Sequence, residues 1–515
     1  MERASGILLP IFSLPGRYGI GSLGKEARDF AGFLKEAGQK WWQVLPVGPV
    51  GSGNSPYASP STFAGNPLFI DLDALGAEGL LTAAELAEAQ VPSTDKVDYE
   101  ALKATREPLL RKAFHRMSPE GLRAAEEFAA RNPWVREYAL YCAARTYFGG
   151  AAWYDWPDQA LRRHEPWVLP GWREKLAEDV AFHTCVQYWF FTQWAALKQY
   201  VNGLGIKIIG DIPIYVSLDS ADVWAEREQF LLDSDGRPSQ VAGVPPDYFS
   251  AEGQLWGNPL YNWGYMKADG FGWWIRRVDG AIRLFDTIRI DHFRGLESYW
   301  AVPAGAETAK VGHWEKGPGM ELFNTLRANL GERGVIAEDL GLMTDSVRKL
   351  VADSGFPNMK VLQFAFDRAD IGGANDYLPH NYNNNCVVYT GTHDNETISG
   401  WFMGLNREDK AFVRDYLGDH DTANKWMYKQ LIATAMRSAA KTCIIPAQDW
   451  LGLDNSSRMN VPGTVNVNWG WRLLPGQITE ELAEEVLIIT KRFGRANWDA
   501  LNRMEKAQKH TETAK

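Results

Sequence analysis

The chain has 515 residues, 45% of them hydrophobic and 23% charged, which is the balance of a globular protein and excludes a mainly disordered one. A net charge of −10 argues against a nucleic-acid surface, and no apolar run reaches the roughly 18 residues needed to span a bilayer. The opening MERASGILLP has no basic segment, apolar core and cleavage site in succession, so a cytoplasmic protein is expected.

Apolar, β-rich runs bounded by turn residues predict eight strands in chain order. They are GILLPI from Gly6, WWQVLPV from Trp41, IKIIGDIPIYV from Ile206 and LFDTIRIDHF from Leu284, then GVIAEDL from Gly334, MKVLQFAF from Met359, NCVVYTGTHD from Asn385 and TCIIPAQDW from Thr442. Helical patterns lie between most of them, such as EARDFAGFLKEAG, YWFFTQWAALKQYVNGLG and DSVRKLVADSG, each ending at or near glycine. Alternation of this kind predicts an α/β fold, a (β/α)8 TIM barrel forming a single catalytic domain over residues 1–515. About residues 48–205 are too long for a loop and read as a mostly helical inserted subdomain. A second insertion, about 217–280, is rich in Gly, Pro and aromatics and should cover the barrel mouth, including the loop at 241–260.

Four cysteines, Cys142, Cys185, Cys386 and Cys443, are scattered without a CxxC pair and read as buried thiols, with no metal or other cofactor expected. Arg162–Arg163 and Arg276–Arg277 read as solvated faces of helices. Most of the 22 Trp, 19 Tyr and 23 Phe are expected in the core, and those in polar, Gly-rich loops are candidates to stack on pyranose rings.

The run LFDTIRID has a period of two, so Phe285, Thr287, Arg289 and Asp291 share one face, and that face grows polar toward its C-terminal end. The other strands repeat the pattern, with Asp211 in GDIP, Glu338 in AEDL and Asp394 in THDN. Several acids at one barrel mouth repel unless cations or protons compensate, and Arg289, His292 and His393 are the candidates, with Arg294 capping the next turn. Paired carboxylates in an aromatic cleft without an HxH metal cluster or a GK[ST] phosphate loop point to chemistry on a glycosidic bond.

Taken together, RIDHFRG, AEDLG and THDN resemble the 4-α-glucanotransferase family, also called amylomaltase or disproportionating enzyme. SLPGRYGIGSLG from Ser13, SPYASPSTFAGNPLFIDL from Ser55, GVPPDYFSAEGQLWGNPLY from Gly243 and RMNVPGT from Arg458 follow in family order, so the resemblance covers roughly residues 5–498. It implies transfer of α-1,4-glucan segments to the 4-hydroxyl of glucose or a maltooligosaccharide, with retention at the anomeric carbon. Asp291 matches the nucleophile, Glu338 the general acid/base and Asp394 the third carboxylate. Arg289 matches the arginine beside the nucleophile, His292 and His393 sugar-binding histidines, and Asp211 a supporting acid. Tyr57 matches a ring-stacking residue, while Asp247, Gln254 and Trp256 belong to the covering loop and Asn460 to a loop opposite.

These roles require an ionised Asp291, its pKa lowered by Arg289, and a protonated Glu338 in a drier, more negative setting. Retention predicts carboxyl groups about 5–5.5 Å apart. The family pattern is broken by Ser52 in VGSGNSPY, where an aromatic is common, and by Gly470 in NWGWR. The rival readings are an α-amylase-like retaining hydrolase, a non-catalytic glucan-binding barrel and a metal-dependent barrel hydrolase.

Overall fold

A computed structural model describes residues 3–246, 250–341, 343–368, 375–465 and 467–504. All eight predicted runs form strands: β1 (Ala4–Leu8), β2 (Trp41–Gln43), β3 (Lys207–Ile212), β6 (Thr287–Ile290), β9 (Val335–Ala337), β10 (Asn358–Val361), β11 (Cys386–Tyr389) and β12 (Thr442–Pro446). They pair in parallel and close in the order β1-β12-β11-β10-β9-β6-β3-β2, a (β/α)8 barrel.

Alternation along each strand decides what fills the barrel. Ala4, Leu8, Trp41, Ile209, Ile336, Met359, Val387, Tyr389 and Ile444 form one buried apolar cluster inside it. The bulk of Trp41 is accommodated because Gly6 stands beside it, where an added Cβ would come within 2.5 Å of Trp41 Cβ. Toward the C-terminal ends the same inward positions turn polar. Asp211 follows Ile209 on β3 at the period of two, and the register sets Asp211 beside Arg289.

Outside the barrel lie helices Lys25–Glu36, Ala177–Gly203, Gly272–Leu284, Met320–Leu330, Asp345–Ser354, Met427–Arg437 and Glu480–Arg492. DSVRKLVADS shows the local logic: Thr344 accepts a hydrogen bond from the Val347 N–H at the start, and Gly355 ends the helix at φ 67°. Between β10 and β11 the alternation lapses, and the described residues there form only the 3-10 turns Leu362–Phe366 and Pro379–Asn381.

Within residues 48–205 the main helices are Tyr99–His115, Pro119–Arg131 and Trp134–Tyr147. The 27-residue helix Ala177–Gly203 packs both on Trp134–Tyr147 and on β3, so one element serves the added helices and the barrel. Its Trp194 indole donates to the Leu284 carbonyl at 3.0 Å, tying it to the segment that enters β6.

The segment expected to cover the barrel mouth contributes to a four-stranded antiparallel sheet that the sequence did not reveal. Strands β4 (Gln240–Val244) and β5 (Gln254–Pro259) form a hairpin, and β4 also pairs with β7 (Ser298–Pro303), which pairs with β8 (His313–Lys316). Half of this sheet therefore comes from beyond β6, a non-local pairing that no short-range pattern encodes.

Arg277 corrects the expectation of a solvated arginine pair. Arg276 is exposed, but Arg277 is 2% exposed and donates to the Ile214 carbonyl at 2.9 Å and the Tyr261 hydroxyl at 3.0 Å, holding the chain just beyond β3. Cys185, Cys386 and Cys443 are buried, Cys142 partly so, and all four are free thiols. Among the described residues no helix is long and apolar enough to cross a membrane.

Candidate active site

The four strand-end acids meet. Arg289, 3% exposed, stands at their centre because β6 places it inward between β3 and β9. Its Nη1 donates to both oxygens of Asp211, at 2.8 and 2.7 Å. Its Nη2 lies 2.9 Å from Asp291 Oδ1 and 3.9 Å from Glu338 Oε2. Two carboxylates reached from one nitrogen must be close neighbours, and here they approach it from adjacent strands.

Immediately after Asp291 the backbone turns sharply, and His292 takes a left-handed conformation at φ 49° and ψ 47°. The His292 N–H donates to Glu338 Oε2 at 2.6 Å, while the Leu340 N–H donates to Oε1 at 2.8 Å. Glu338 is thus aimed by the backbone on both sides of the strand gap. The left-handed turn, costly for a residue with a Cβ, is what brings one of those amides into place.

Asp394 is held from the other side. His393 Nε2 lies 3.3 Å from its Oδ2, and Asn460 Nδ2 donates to its Oδ1 at 2.6 Å. The Arg458 guanidinium donates to the Asp394 carbonyl at 2.6 Å, and the Asn460 N–H to the His393 carbonyl at 3.0 Å. The RMN segment therefore acts as a splint along the THDN turn.

Tyr57 joins the two halves. Its hydroxyl donates to Asp211 Oδ2 at 2.7 Å and lies 3.4 Å from His393 Nδ1, while its ring stacks on His393 with centroids 5.0 Å apart. Trp469 lies 5.4 Å from the Tyr57 ring and 5.8 Å from the His393 ring. Sequence reasoning missed Trp469 and Arg458 as parts of the site. Both lay inside segments already singled out, NWGWR and RMNVPG, beside the residues that were named.

On the β4–β5 hairpin, Trp256 remains 37% exposed and sets its edge against His292, with centroids 4.7 Å apart and planes at 82°. It is no core residue. Its indole N–H donates to Gln254 Oε1 at 3.2 Å, so the two fix each other on β5. Asp247 lies outside the described residues.

The electrostatics follow from burial and charge count. Burial raises the Glu338 carboxyl, and the neighbouring Asp291 adds to this against Arg289, taking it up to about 7. Burial also raises Asp291, to about 6, against the pull of Arg289 and with Asp211 adding to the rise. Arg289 does lower Asp291, as expected, but burial outweighs it and the group ends above the ordinary carboxylate range. The guanidinium is shared with Asp211, which takes two of its bonds. The shorter contact of Arg289 with Asp291, 2.9 Å against 3.9 Å to Glu338, favours the negative charge on Asp291.

For Asp394, burial works upward but the ion pair with His393 prevails and holds the group at about 2. In return His393 is raised above its ordinary value, burial opposing and Asp394 prevailing. His292 behaves oppositely: burial, helped by Arg294, pushes it down to about 3. It is a neutral ring, which corrects its expected part as a counter-charge to the acids. Arg294 itself places its guanidinium over the Trp314 ring at 4.0 Å and donates to Ser298 Oγ at 3.3 Å.

Such an array, with two carboxyls raised by burial, one of them nearer the guanidinium, and a third held as an anion, suits cleavage of a bond between two sugars. A family model described as 4-alpha-glucanotransferase matches residues 9–478. The chain is 48% identical to the 4-alpha-glucanotransferase of Thermus thermophilus over 494 residues, 93% of this chain and 97% of the relative. It is 44% identical over 482 residues to the chloroplastic/amyloplastic 4-alpha-glucanotransferase of Solanum tuberosum, 92% of this chain and 82% of the relative. A solved structure, the amylomaltase from Streptococcus agalactiae in complex with acarbose, is similar with a TM-score of 0.93 and 41% identity, covering 96% of this chain and 100% of that chain. The chain belongs to the 4-alpha-glucanotransferase family.

Proposed function

We propose that this 4-alpha-glucanotransferase works by retaining double displacement, with Asp291 as nucleophile and Glu338 as general acid/base. The observation that carries this reading is the shared nitrogen of Arg289, 2.9 Å from Asp291 and 3.9 Å from Glu338. In the first step Glu338 protonates the glycosidic oxygen, the C1–O bond breaks, and an Asp291 oxygen bonds to C1. In the second, Glu338 takes the proton of an acceptor 4-hydroxyl as that oxygen attacks C1 and Asp291 leaves. Asp394, an anion held by His393 and Asn460, binds sugar hydroxyls and favours the distorted ring.

Donors are α-1,4-glucans and maltooligosaccharides, and acceptors are these or glucose. The similar streptococcal amylomaltase is solved in complex with acarbose, which supports a saccharide ligand for this chain. Transfer outpaces hydrolysis because the β4–β5 hairpin, with Trp256 against His292, disfavours water while giving an acceptor ring an aromatic edge. Residues 1–515 act as one catalytic domain, with 48–205 and 217–280 as insertions flanking its mouth. Four free thiols fit a reducing compartment, and we infer a cytoplasmic enzyme.

Incubation with maltotriose tests the activity: glucose and a ladder of longer chains are expected, and products never exceeding three glucosyl units would mark a hydrolase. Asp291→Asn should abolish turnover while glucan binding persists. Turnover at the wild-type rate would remove Asp291 from its role.

A further inference from the structure

The turn that carries His393 and Asp394 spans residues 391–397, between the end of β11 and the helix Ile398–Gly404. Both of its ends converge on one side chain. Thr390, directly after β11, donates its hydroxyl to Asp449 Oδ2, and the Ile398 N–H donates to Asp449 Oδ1 at 2.8 Å. Asp449 comes from the helix Ala447–Trp450 that follows β12, and it is 1% exposed.

A carboxyl buried this deeply carries a desolvation cost that a serine or an apolar residue would not. Burial lifts it to about 7 even though the Thr390 hydroxyl and the Ile398 amide oppose that lift. Packing beside these bonds is incomplete, because a small cavity of about 10 Å³ is lined by Thr392, His393 and Asn395 of the turn together with Asp449, Leu8 and Met459. The two bonds to Asp449 are therefore what hold the two ends of this turn together.

We infer that Asp449 is a positioning residue, a clasp on Thr390 and Ile398 that sets the width of the 391–397 turn and hence the place of Asp394 against the sugar. The inference rests on the proposed role of Asp394. Asp449 touches neither substrate nor either reacting carboxyl. Its effect is geometric and falls on the transition state, where Asp394 acts on the distorted ring, more than on ground-state binding.

Maltotriose disproportionation by the full chain tests it with Asp449→Ala, Asp449→Asn and Asp394→Asn side by side. Asp449→Ala should lower kcat about 100-fold, the effect of a displacement near 1 Å at a reacting centre. KM should stay within about threefold of the wild type, the signature of an interaction made in the transition state. Asp449→Asn keeps an acceptor for the Ile398 amide and a partner for the Thr390 hydroxyl, so its kcat should stay within about threefold of the wild type. Wild-type kcat in Asp449→Ala beside an inactive Asp394→Asn would overturn the clasp and leave the role of Asp394 standing. An active Asp394→Asn would instead overturn that role. Equal losses in Asp449→Ala and Asp449→Asn would assign the effect to charge and also overturn the clasp. Should Asp449→Ala fail to fold, Thr390→Val removes one bond alone and is expected to lower kcat about tenfold at unchanged KM, with wild-type kcat overturning the proposal.

Discussion

Arg289 gives one terminal nitrogen wholly to Asp211 and turns the other to Asp291, so the proposed nucleophile receives a shared and not a dedicated counter-charge. Asp211 is fully buried and also takes the Tyr57 hydroxyl, which makes it the anchor that fixes the guanidinium plane. The arginine is consequently a positioned fork, and its geometry matters as much as its charge.

Arg289→Lys keeps the charge and loses the fork. An ammonium cannot hold both oxygens of Asp211 with one nitrogen and Asp291 with another, so kcat should fall about 10²- to 10³-fold. With its opposing charge less well placed, Asp291 should titrate higher than about 6, moving the acid limb of the pH profile upward. Wild-type kcat with an unmoved limb would contradict the fork.

The wild-type pH profile should be a narrow bell. Asp291 must be ionised, so kcat/KM rises with pH through about 6, and Glu338 must be protonated, so it falls again through about 7. Initial rates of glucose release across the range check this, and a plateau extending from about pH 5 to about pH 9 would contradict the assignment.

Away from the site, Asp222 predicts a pH-dependent stability. It is 6% exposed, takes the Thr62 N–H on Oδ2 at 2.8 Å, and has no hydrogen-bond partner on Oδ1 among the described residues. Burial raises it from an ordinary 3.8 to about 7. A folded-state value above the unfolded one gives a contribution complete at low pH and lost as pH rises through about 7. Asp222→Asn should therefore melt about 2–4 °C above the wild type near pH 8 and lose that advantage near pH 4. A Tm difference independent of pH would contradict this.

Ser52 tests the departure from the family pattern. It is exposed in the turn Ser52–Asn54, five residues ahead of Tyr57, and Gly53 at φ 64° and Asn54 at φ 59° give the turn its tight reversal. Ser52→Tyr would add an aromatic face near the cleft and should shift maltotriose products toward longer chains. Identical product profiles would dispose of the idea. At Gly470 an added Cβ would meet nothing closer than 3.9 Å, so a larger side chain fits there without moving the backbone.

The eight barrel strands and the acids at their ends were legible because both are local signals. A β-rich run bounded by turns marks a strand, and the period of two in LFDTIRID points Arg289 inward whatever surrounds it. The motifs containing Asp291, Glu338 and Asp394 were sufficient to indicate the family for the same reason.

Tertiary structure alone decided which charges pair and which groups keep their protons. Asp211 and Arg289 are separated by a long insertion in sequence yet share a register, and the preference of the guanidinium for Asp211 over Asp291 exists only once β3 and β6 lie side by side. The neutrality of His292, the raised Asp291, the clasp at Asp449 and the pairing of β4 with β7 likewise depend on burial and on distant chain segments. Periodicity reports which way a side chain points, whereas desolvation and ion pairing depend on what the rest of the chain brings to meet it.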